Sequence, residues 1–98
     1  MTVLIMTDGR TREVRPFNGK FWTQEEKAVM VGGHPEVVRT VDDRWMVINE
    51  AGKVTGLELN IPATRLYIHG RTDVVMGDVL VVDTWAELEE PLEIEITV

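Results

Sequence analysis

Residues 74–82 (VVMGDVLVV) form the most β-rich run of this chain and constrain its fold more than any other feature. A short apolar run of this kind, bounded by turn residues, is typical of a buried strand, and we predict that it is the core strand of a sheet. Gly77 interrupts the run and indicates a bulge or a sharp bend of the kind that closes a barrel-like sheet. The chain is therefore expected to fold around a small, strongly bent sheet.

Other strand-like segments alternate with turn formers along the chain. The pair Asp8-Gly9 separates residues 3–6 from 13–17, and an Asp-Gly pair in such a place is typical of a β-hairpin. Further strand-like segments are residues 36–41, 45–49, 54–59 and 65–68. At the end of the chain, apolar residues alternate with polar ones from Leu92 to Val98, which predicts a half-buried strand. The pattern predicts a mostly antiparallel, barrel-like sheet of about six short strands.

The clearest helix signal surrounds Thr23. Thr23 as N-cap and Glu26 three residues later match a capping box, and Gly32-Gly33 followed by Pro35 ends the helix. We therefore predict a short helix over about residues 24–31. The residues expected on its buried side are Phe21, Trp22, Ala28, Val29 and Met30.

Two further segments have weaker helix signals. Thr84 and Glu87 repeat the capping-box spacing, which favours a second short helix over about residues 85–90, stopped by Pro91. Residues 60–64 form either one helical turn with Pro62 near its start or a loop that returns the chain across the sheet. Since the sequence contains neither repeats nor a linker, we predict a single α+β domain over residues 1–98.

Composition excludes several classes of protein. The chain has no cysteine and no serine, which excludes disulfides, thiolate metal sites and the common covalent hydrolases. It also lacks an apolar run of the ~20 residues that a membrane span needs. The start, MTVLIMTDGR, lacks the basic beginning and the longer apolar middle of a secretory signal, so we expect a cytoplasmic protein.

The sequence offers little for catalysis. His34 and His69 both lie in predicted turns, without the spacing that would place two metal ligands on one helix face or on adjacent strands. The pairs Asp42-Asp43 and Glu25-Glu26 lie in a strand turn and in a first helical turn, where local structural roles are expected. We therefore assign no catalytic, cofactor-binding or metal-ligating residues and expect a protein that is not an enzyme.

Charge is unevenly distributed along the chain. The net charge is −7, yet residues 1–71 carry 10 basic and 9 acidic side chains, whereas residues 72–98 carry 8 acidic and no basic ones. This acidic third is interpreted either as a solvated face or as a patch that binds a basic surface. Direct binding to nucleic acid is not expected, because the only basic stretch is Arg10, Arg12 and Arg15 on the first hairpin.

If the acidic third is a binding surface, Trp85 is its natural anchor, since aromatic residues dominate the energetics of protein interfaces. A tryptophan directly after an N-cap is, however, more often packed into its own core. The residues expected to contact the partner are Trp85, Glu87, Glu89, Glu90, Glu93 and Glu95.

Several short motifs in the sequence resemble a known protein family. They are residues 31–38 (VGGHPEVV), 46–53 (MVINEAGK), Gly56-Leu57, Asn60, 63–67 (ATRLY) and 77–82 (GDVLVV). In order and spacing they resemble, over roughly residues 1–83, the family known as domain of unknown function 3846. The connection of residues 55–62 and the tail from Thr84 onward depart from the family pattern. The resemblance implies an origin in a bacteriophage or mobile element and supplies no catalytic residues.

These observations lead to one main functional hypothesis and two alternatives. The main one is a non-enzymatic bacteriophage or mobile-element accessory protein in the host cytoplasm, which binds a host protein with a basic surface through the acidic C-terminal third. The first alternative is a protein that binds a small nucleotide signal through amides of Gly32-Gly33 and Gly77, with Arg65, Tyr67 or Arg71 lining the pocket. The second is a structural or assembly homodimer formed through the strand Leu92–Val98.

Overall fold

A computed structural model of the chain describes residues 1–89. In chain order the strands are β1 (Thr2–Ile5), β2 (Thr11–Val14), β3 (Pro35–Arg39), β4 (Trp45–Asn49) and β5 (Val79–Val82). The helices are α1 (Gln24–Val31), between β2 and β3, and α2 (Ile61–Leu66), between β4 and β5, and a 3₁₀ turn spans Trp85–Glu87. The predicted α+β class and the antiparallel sheet are confirmed.

The five strands form one antiparallel sheet in the order β2-β1-β5-β4-β3. The last strand along the chain, β5, is therefore the central one. All four of its residues are buried, which confirms that the most β-rich part of the sequence forms the core strand. Within residues 1–89 the sheet stays open, with β2 and β3 as its edges, so the predicted barrel-like closure is not formed.

Both faces of the sheet are covered at its central strand β5, which explains why all four residues of this strand are apolar. On one face, α1 and Leu88 pack with Trp22 over Leu80 and Val82. On the other face, Ala63 of α2 and Val75 pack over the alternate residues of β5 and over Met46 of β4. The two faces follow from the two-residue period of a strand.

Helix α1 begins and ends as predicted. Thr23 Oγ1 accepts a hydrogen bond from the amide of Glu26 (3.2 Å), and Glu26 Oε1 accepts one from the amide of Thr23 (3.1 Å), which is a complete capping box. Gly32 ends the helix in the left-handed conformation with φ 76°. The predicted buried side is wrong at Val29, which is 80% exposed, because the helix turns Lys27 and Val31 toward the sheet instead.

The elements predicted over residues 54–59 and 85–90 differ from the structure. Residues 54–59 are not a strand: the amides of Thr55 and Leu57 donate to the carbonyls of Ala51 and Gly52, which winds this segment into turns. Only Leu59 forms a β-bridge, with Met76. The second helix is limited to the three residues of the 3₁₀ turn within the described chain, and residues 90–98, including the predicted strand Leu92–Val98, lie outside it.

The predicted strand over residues 65–68 is wrong, because α2 continues to Leu66. Asn60 caps this helix: its Oδ1 accepts a hydrogen bond of 3.0 Å from the amide of Ala63, and Pro62 lies in the first turn. Of the two alternatives for residues 60–64, the helix is the one that forms. Tyr67 follows the helix in extended conformation and forms a single bridge with Thr40.

Gly77 makes the predicted sharp bend, but before β5 and not within it. Its φ is +88°, a conformation that residues with a side chain rarely adopt. The amide of Gly77 donates to the carbonyl of Glu58 (2.7 Å), and a Cβ at Gly77 would lie 2.7 Å from Leu57 Cδ1. The bend therefore turns the chain into the central strand and does not close the sheet.

Candidate functional site

Trp85 lies on the protein surface at the start of the 3₁₀ turn. The turn follows Thr84, whose amide and hydroxyl donate hydrogen bonds of 3.1 and 3.2 Å to the carboxylate of Glu87. Trp85 is 44% exposed, whereas Trp22, which packs in the core, is only 3% exposed. Trp85 is therefore a surface tryptophan and not part of a buried core.

Trp45 of the sheet packs against the Trp85 ring, and Arg39 packs against Trp45 in turn. Trp85 and Trp45 meet edge to face, with ring centroids 4.7 Å apart and an interplanar angle of 64°. The guanidinium carbon of Arg39 lies 4.0 Å from the centroid of the Trp45 ring, and Arg39 also forms an ion pair with Asp43. We call Arg39, Trp45 and Trp85 the tryptophan cluster.

Sequence reasoning found Trp85 but missed the other two members of the cluster. Arg39 and Trp45 are register partners in the β3–β4 pair. The two flanking strands and the turn between them were predicted, so pairing them about that turn would have placed Arg39 beside Trp45. The contact with Trp85, 40 positions away, had no local signal.

A cavity of about 370 Å³ lies next to the tryptophan cluster. Lys27 of α1 reaches into this region, where it is 7% exposed and donates a hydrogen bond of 3.0 Å from Nζ to the carbonyl of Leu88. The lining residues are Gln24, Lys27, Val37, Trp85, Leu88 and Glu89. Trp85 therefore borders a depression with both apolar and polar walls.

Glu87, a predicted contact residue, is engaged within the protein. Its Oε1 accepts a hydrogen bond from Thr2 Oγ1 (3.1 Å) and lies 3.0 Å from the α-ammonium group of Met1. Burial opposes ionisation of this carboxyl, but the hydrogen bonds from the α-ammonium group, Thr84 and Thr2 together lower the pKa of Glu87. Glu87 thus fixes the 3₁₀ turn against β1.

The remaining predicted contact residues are one exposed glutamate and three residues beyond the described chain. Glu89 is exposed beside the cavity. Glu90, Glu93 and Glu95 lie outside the described residues. The structure therefore brings Trp85 and Glu89 together at one cavity and assigns Glu87 to an internal role.

The other acidic side chains of the described C-terminal part also have local partners. Asp73 forms an ion pair with Lys53, which is the main cause of the lowered pKa of Asp73. Asp78 accepts a hydrogen bond of 3.0 Å from the amide of Thr7. Asp83 lies 3.4 Å from the α-ammonium group of Met1. Much of this acidic charge is therefore matched locally.

The carboxylate pairs noted in the sequence have structural roles. Hydrogen bonds from Arg44 and Thr40 lower the pKa of Asp42 to about 2. The amides of Phe17 and Thr23 donate to Glu26 and lower its pKa. Both carboxyls are thus stabilised in their ionised form, which suits a cap or a turn and not a proton donor near neutral pH.

Both histidines are exposed on the protein surface. His34 lies with its Nε2 3.3 Å from the carboxylate of Glu50, and the ring of His69 meets Tyr67 edge to face at 5.5 Å. Among residues 1–89 there is no group of three or more His, Asp or Glu side chains placed to hold a metal ion. In the same part of the chain, the helices are too short and too polar to cross a membrane.

The residues named for nucleotide binding do not share one pocket. Gly32 and Gly77 line a cavity of about 330 Å³ beside α1, together with Glu58 and Asp78. Tyr67 lines a different cavity, together with residues of β3 and β4. Two carboxylates at the glycine cavity would repel a phosphate.

Comparison with known proteins identifies the family of the chain. No curated protein and no solved structure matches the chain. The family described as Domain of unknown function (DUF3846) matches residues 1–94, which is nearly the whole sequence and includes the tryptophan cluster. The chain therefore belongs to the DUF3846 family.

Proposed function

We propose that this protein acts by binding another protein through the surface around Trp85, and not by catalysis. The observation that carries the proposal is the exposure of Trp85, which is 44% accessible although the protein has an apolar core that accommodates Trp22. A large exposed aromatic residue is a typical anchor of a protein interface. Its removal from water by a partner would provide much of the binding energy.

The surroundings of Trp85 favour an anchor that is already in position. The edge-to-face contact with Trp45 limits the rotation of the Trp85 ring, and Arg39 packs on Trp45 in turn. A side chain ordered before binding loses less conformational entropy when the complex forms. We therefore expect the tryptophan cluster to contribute more binding energy than its contact area alone would give.

The acidic residues near Trp85 indicate that the proposed partner has a basic surface. Glu89 is exposed at the cavity beside Trp85, and the sequence continues with Glu90, Glu93 and Glu95 without any basic residue. A partner with a basic surface complements this charge and would be attracted to it over roughly a Debye length, about 8 Å at physiological salt. In this proposal Glu87 contributes indirectly, by holding the 3₁₀ turn that carries Trp85.

We further propose that the partner is a protein of the host cytoplasm and that the chain originates from a bacteriophage or mobile element. The origin is implied by the motif resemblance described above.

The carboxyl groups with lowered pKa support a binding role over catalysis, because each has a structural partner. These groups are Asp8, Glu26, Asp42, Asp73 and Glu87.

The test is affinity capture from a bacterial lysate with matched variants. Trp85→Ala, and separately a charge reversal of Glu89, Glu90, Glu93 and Glu95 to lysine, should each abolish recovery of the partner. The controls are Val54→Ala, at an apolar residue that is 90% exposed elsewhere, and Glu36→Lys, at an exposed residue of β3. Equal recovery of partners by the wild type and both test variants would refute the proposal.

A further inference from the structure

A second apolar surface lies on the other side of α1, between this helix and the edge strand β2. It is a groove of about 660 Å³ whose lining includes Arg12, Val14, Phe17, Glu25, Val29 and Met30. We propose that this groove binds an extended segment of a partner protein as an additional antiparallel strand on β2. The segment carries an apolar side chain and, two residues later, an acidic one. Neither the tryptophan cluster nor its proposed partner is part of this site.

In the part of the chain that the structure describes, β2 is an edge strand with no neighbour on its outer side. The amide of Met6 donates to the carbonyl of Arg10 (2.9 Å), and by the alternation of an antiparallel ladder Arg12 and Val14 also direct their amides and carbonyls toward β1. The amides and carbonyls of Thr11 and Glu13 therefore point away from the sheet. Within residues 1–89 no hydrogen bond engages these groups. Such an edge is a template for strand addition.

The groove beside this edge exposes large apolar side chains. Phe17 is 100% exposed and Val29 is 80% exposed, while Val14 and Met30 are partly buried. The groove exists because α1 packs mainly against β3, β4 and β5 and makes little contact with the β1–β2 hairpin beside it. A volume of several hundred Å³ accommodates one or two side chains of a bound strand.

The charge of Arg12 and its position on β2 indicate which residues a bound strand should carry. Arg12 and Val14 are two residues apart, so both side chains lie on the groove face of β2. Among the described residues Arg12 forms no ion pair, and Arg15 reaches only Glu13, at 4.0 Å. In an antiparallel ligand the residue beside Val14 comes first and the residue beside Arg12 follows two positions later. An apolar residue followed at that spacing by a carboxylate satisfies both positions.

The glutamates of α1, on the opposite side of the groove, also favour a ligand carboxylate next to Arg12. Glu26 is occupied, because its carboxylate accepts hydrogen bonds from the amides of Phe17 (2.9 Å) and Thr23 (3.1 Å). Glu25 is exposed on α1, across the groove from the arginines. A ligand carboxylate is thus attracted to the β2 side and repelled from the helix side, which places it next to Arg12.

The test uses the labelled peptide acetyl-Thr-Thr-Leu-Thr-Glu-Thr-Thr-amide and the full chain. Fluorescence anisotropy should show binding, and replacing the peptide glutamate by lysine should weaken it about tenfold. Arg12→Glu should reverse the preference between the two peptides. Because Arg12 is exposed, the variant is expected to fold, and a circular dichroism spectrum checks this.

Two further measurements distinguish strand addition from nonspecific apolar contact. On peptide binding, the amide protons of Thr11 and Glu13 should become protected from hydrogen exchange. Val29→Glu should weaken binding, whereas Val54→Glu, at a similarly exposed valine away from the groove, should not. Equal binding of the glutamate and lysine peptides, no binding of either, or no added protection at Thr11 and Glu13 would overturn the proposal. Trp85→Ala should leave peptide binding unchanged, which keeps this test independent of the proposed function.

Discussion

The indole Nε1 of Trp22 donates a buried hydrogen bond of 2.9 Å to the hydroxyl of Thr2. The Thr2 hydroxyl in turn donates to the carboxylate of Glu87 (3.1 Å), and the amide of Trp22 donates to the carbonyl of Glu87 (2.7 Å). Three distant parts of the chain are thereby joined: the first strand, the start of α1 and the 3₁₀ turn. The position of Trp85 on the surface depends on this connection, because Glu87 ends the same turn.

Replacing Thr2 by valine should destabilise the protein, although the two side chains have nearly the same shape. The substitution leaves the buried Trp22 N–H without its acceptor, which costs about 1–3 kcal/mol. Urea denaturation followed by tryptophan fluorescence measures the loss. Thr2→Ser, which keeps the hydroxyl, serves as the control and should retain more stability than Thr2→Val. The interpretation fails if Thr2→Val is as stable as the wild type.

Asn60 should be among the residues least tolerant of substitution. It is fully buried, and its amide nitrogen donates to the carbonyls of Ile5 (3.0 Å) and Gly77 (2.9 Å) while its oxygen caps α2. Asn60→Ala removes both of these buried hydrogen bonds and the helix cap, for a cost of roughly 3 kcal/mol or more. Chemical denaturation measures it. Asn18→Ala, which removes only exposed turn hydrogen bonds, should cost much less, and equal losses would contradict the assigned role.

Two glycines with positive φ should respond differently to alanine. Gly77 and Gly56 both have positive φ, at +88° and +73°, so either substitution costs about 1–2 kcal/mol in backbone strain. A Cβ at Gly77 also meets Leu57 Cδ1 at 2.7 Å, whereas a Cβ at Gly56 meets nothing within 4 Å. Because Leu57 Cδ1 is the end of a flexible, half-buried side chain that can shift, Gly77→Ala should lower the free energy of unfolding by only about 0.5–1 kcal/mol more than Gly56→Ala. Thermal denaturation of both variants would reveal equal losses if the contact were unimportant.

The elements that the sequence predicts well are those whose signals are local. The Asp8-Gly9 turn forms the β1–β2 hairpin, and the Thr23–Glu26 capping box starts α1. In both cases the residues that determine the conformation are only a few positions apart, so no tertiary contact is needed to recognise them. Local signals failed at residues 65–68. The helix that Asn60 caps continues to Leu66, into a segment of strand-like composition.

Long-range arrangement was beyond these signals. That β5 pairs with β1, more than 70 residues earlier, depends on which strands bury the most apolar surface together. The candidate site also depends on contacts between residues that are far apart in the sequence. Trp85 could be named as an exposed anchor or as a core residue, and only its packing against Trp45 distinguishes the two. The capping contact of Glu87 with Thr84 was predicted, but its hydrogen bond with Thr2 was not, because Thr2 lies 85 residues away.

The turn between β3 and β4 should make stability depend on acid pH through Asp42. Arg44 and Thr40 lower the pKa of Asp42 from 3.8 to about 2, so the stabilisation is fully present above pH 3.8 and is lost as the pH falls through 2. Since the carboxylate is 45% exposed, solvent screens the ion pair and the effect should stay under about 1 kcal/mol. Asp42→Asn should be less stable than the wild type at pH 6 and equal to it below pH 2 in urea denaturation. A difference that persists below pH 2 would show that ionisation is not its cause.

Replacing the exposed Trp85 should destabilise the protein much less than replacing the buried Trp22, if Trp85 serves binding and Trp22 serves the fold. Trp85→Ala removes a 44% exposed ring and its edge-to-face contact with Trp45, which we expect to cost about 1 kcal/mol. Trp22→Ala empties a core position that is 3% exposed and should cost about 3–5 kcal/mol. Urea denaturation monitored by circular dichroism compares the two without relying on tryptophan emission. A loss for Trp85→Ala as large as that for Trp22→Ala would mean that Trp85 serves the fold, and the case for it as a binding anchor would disappear.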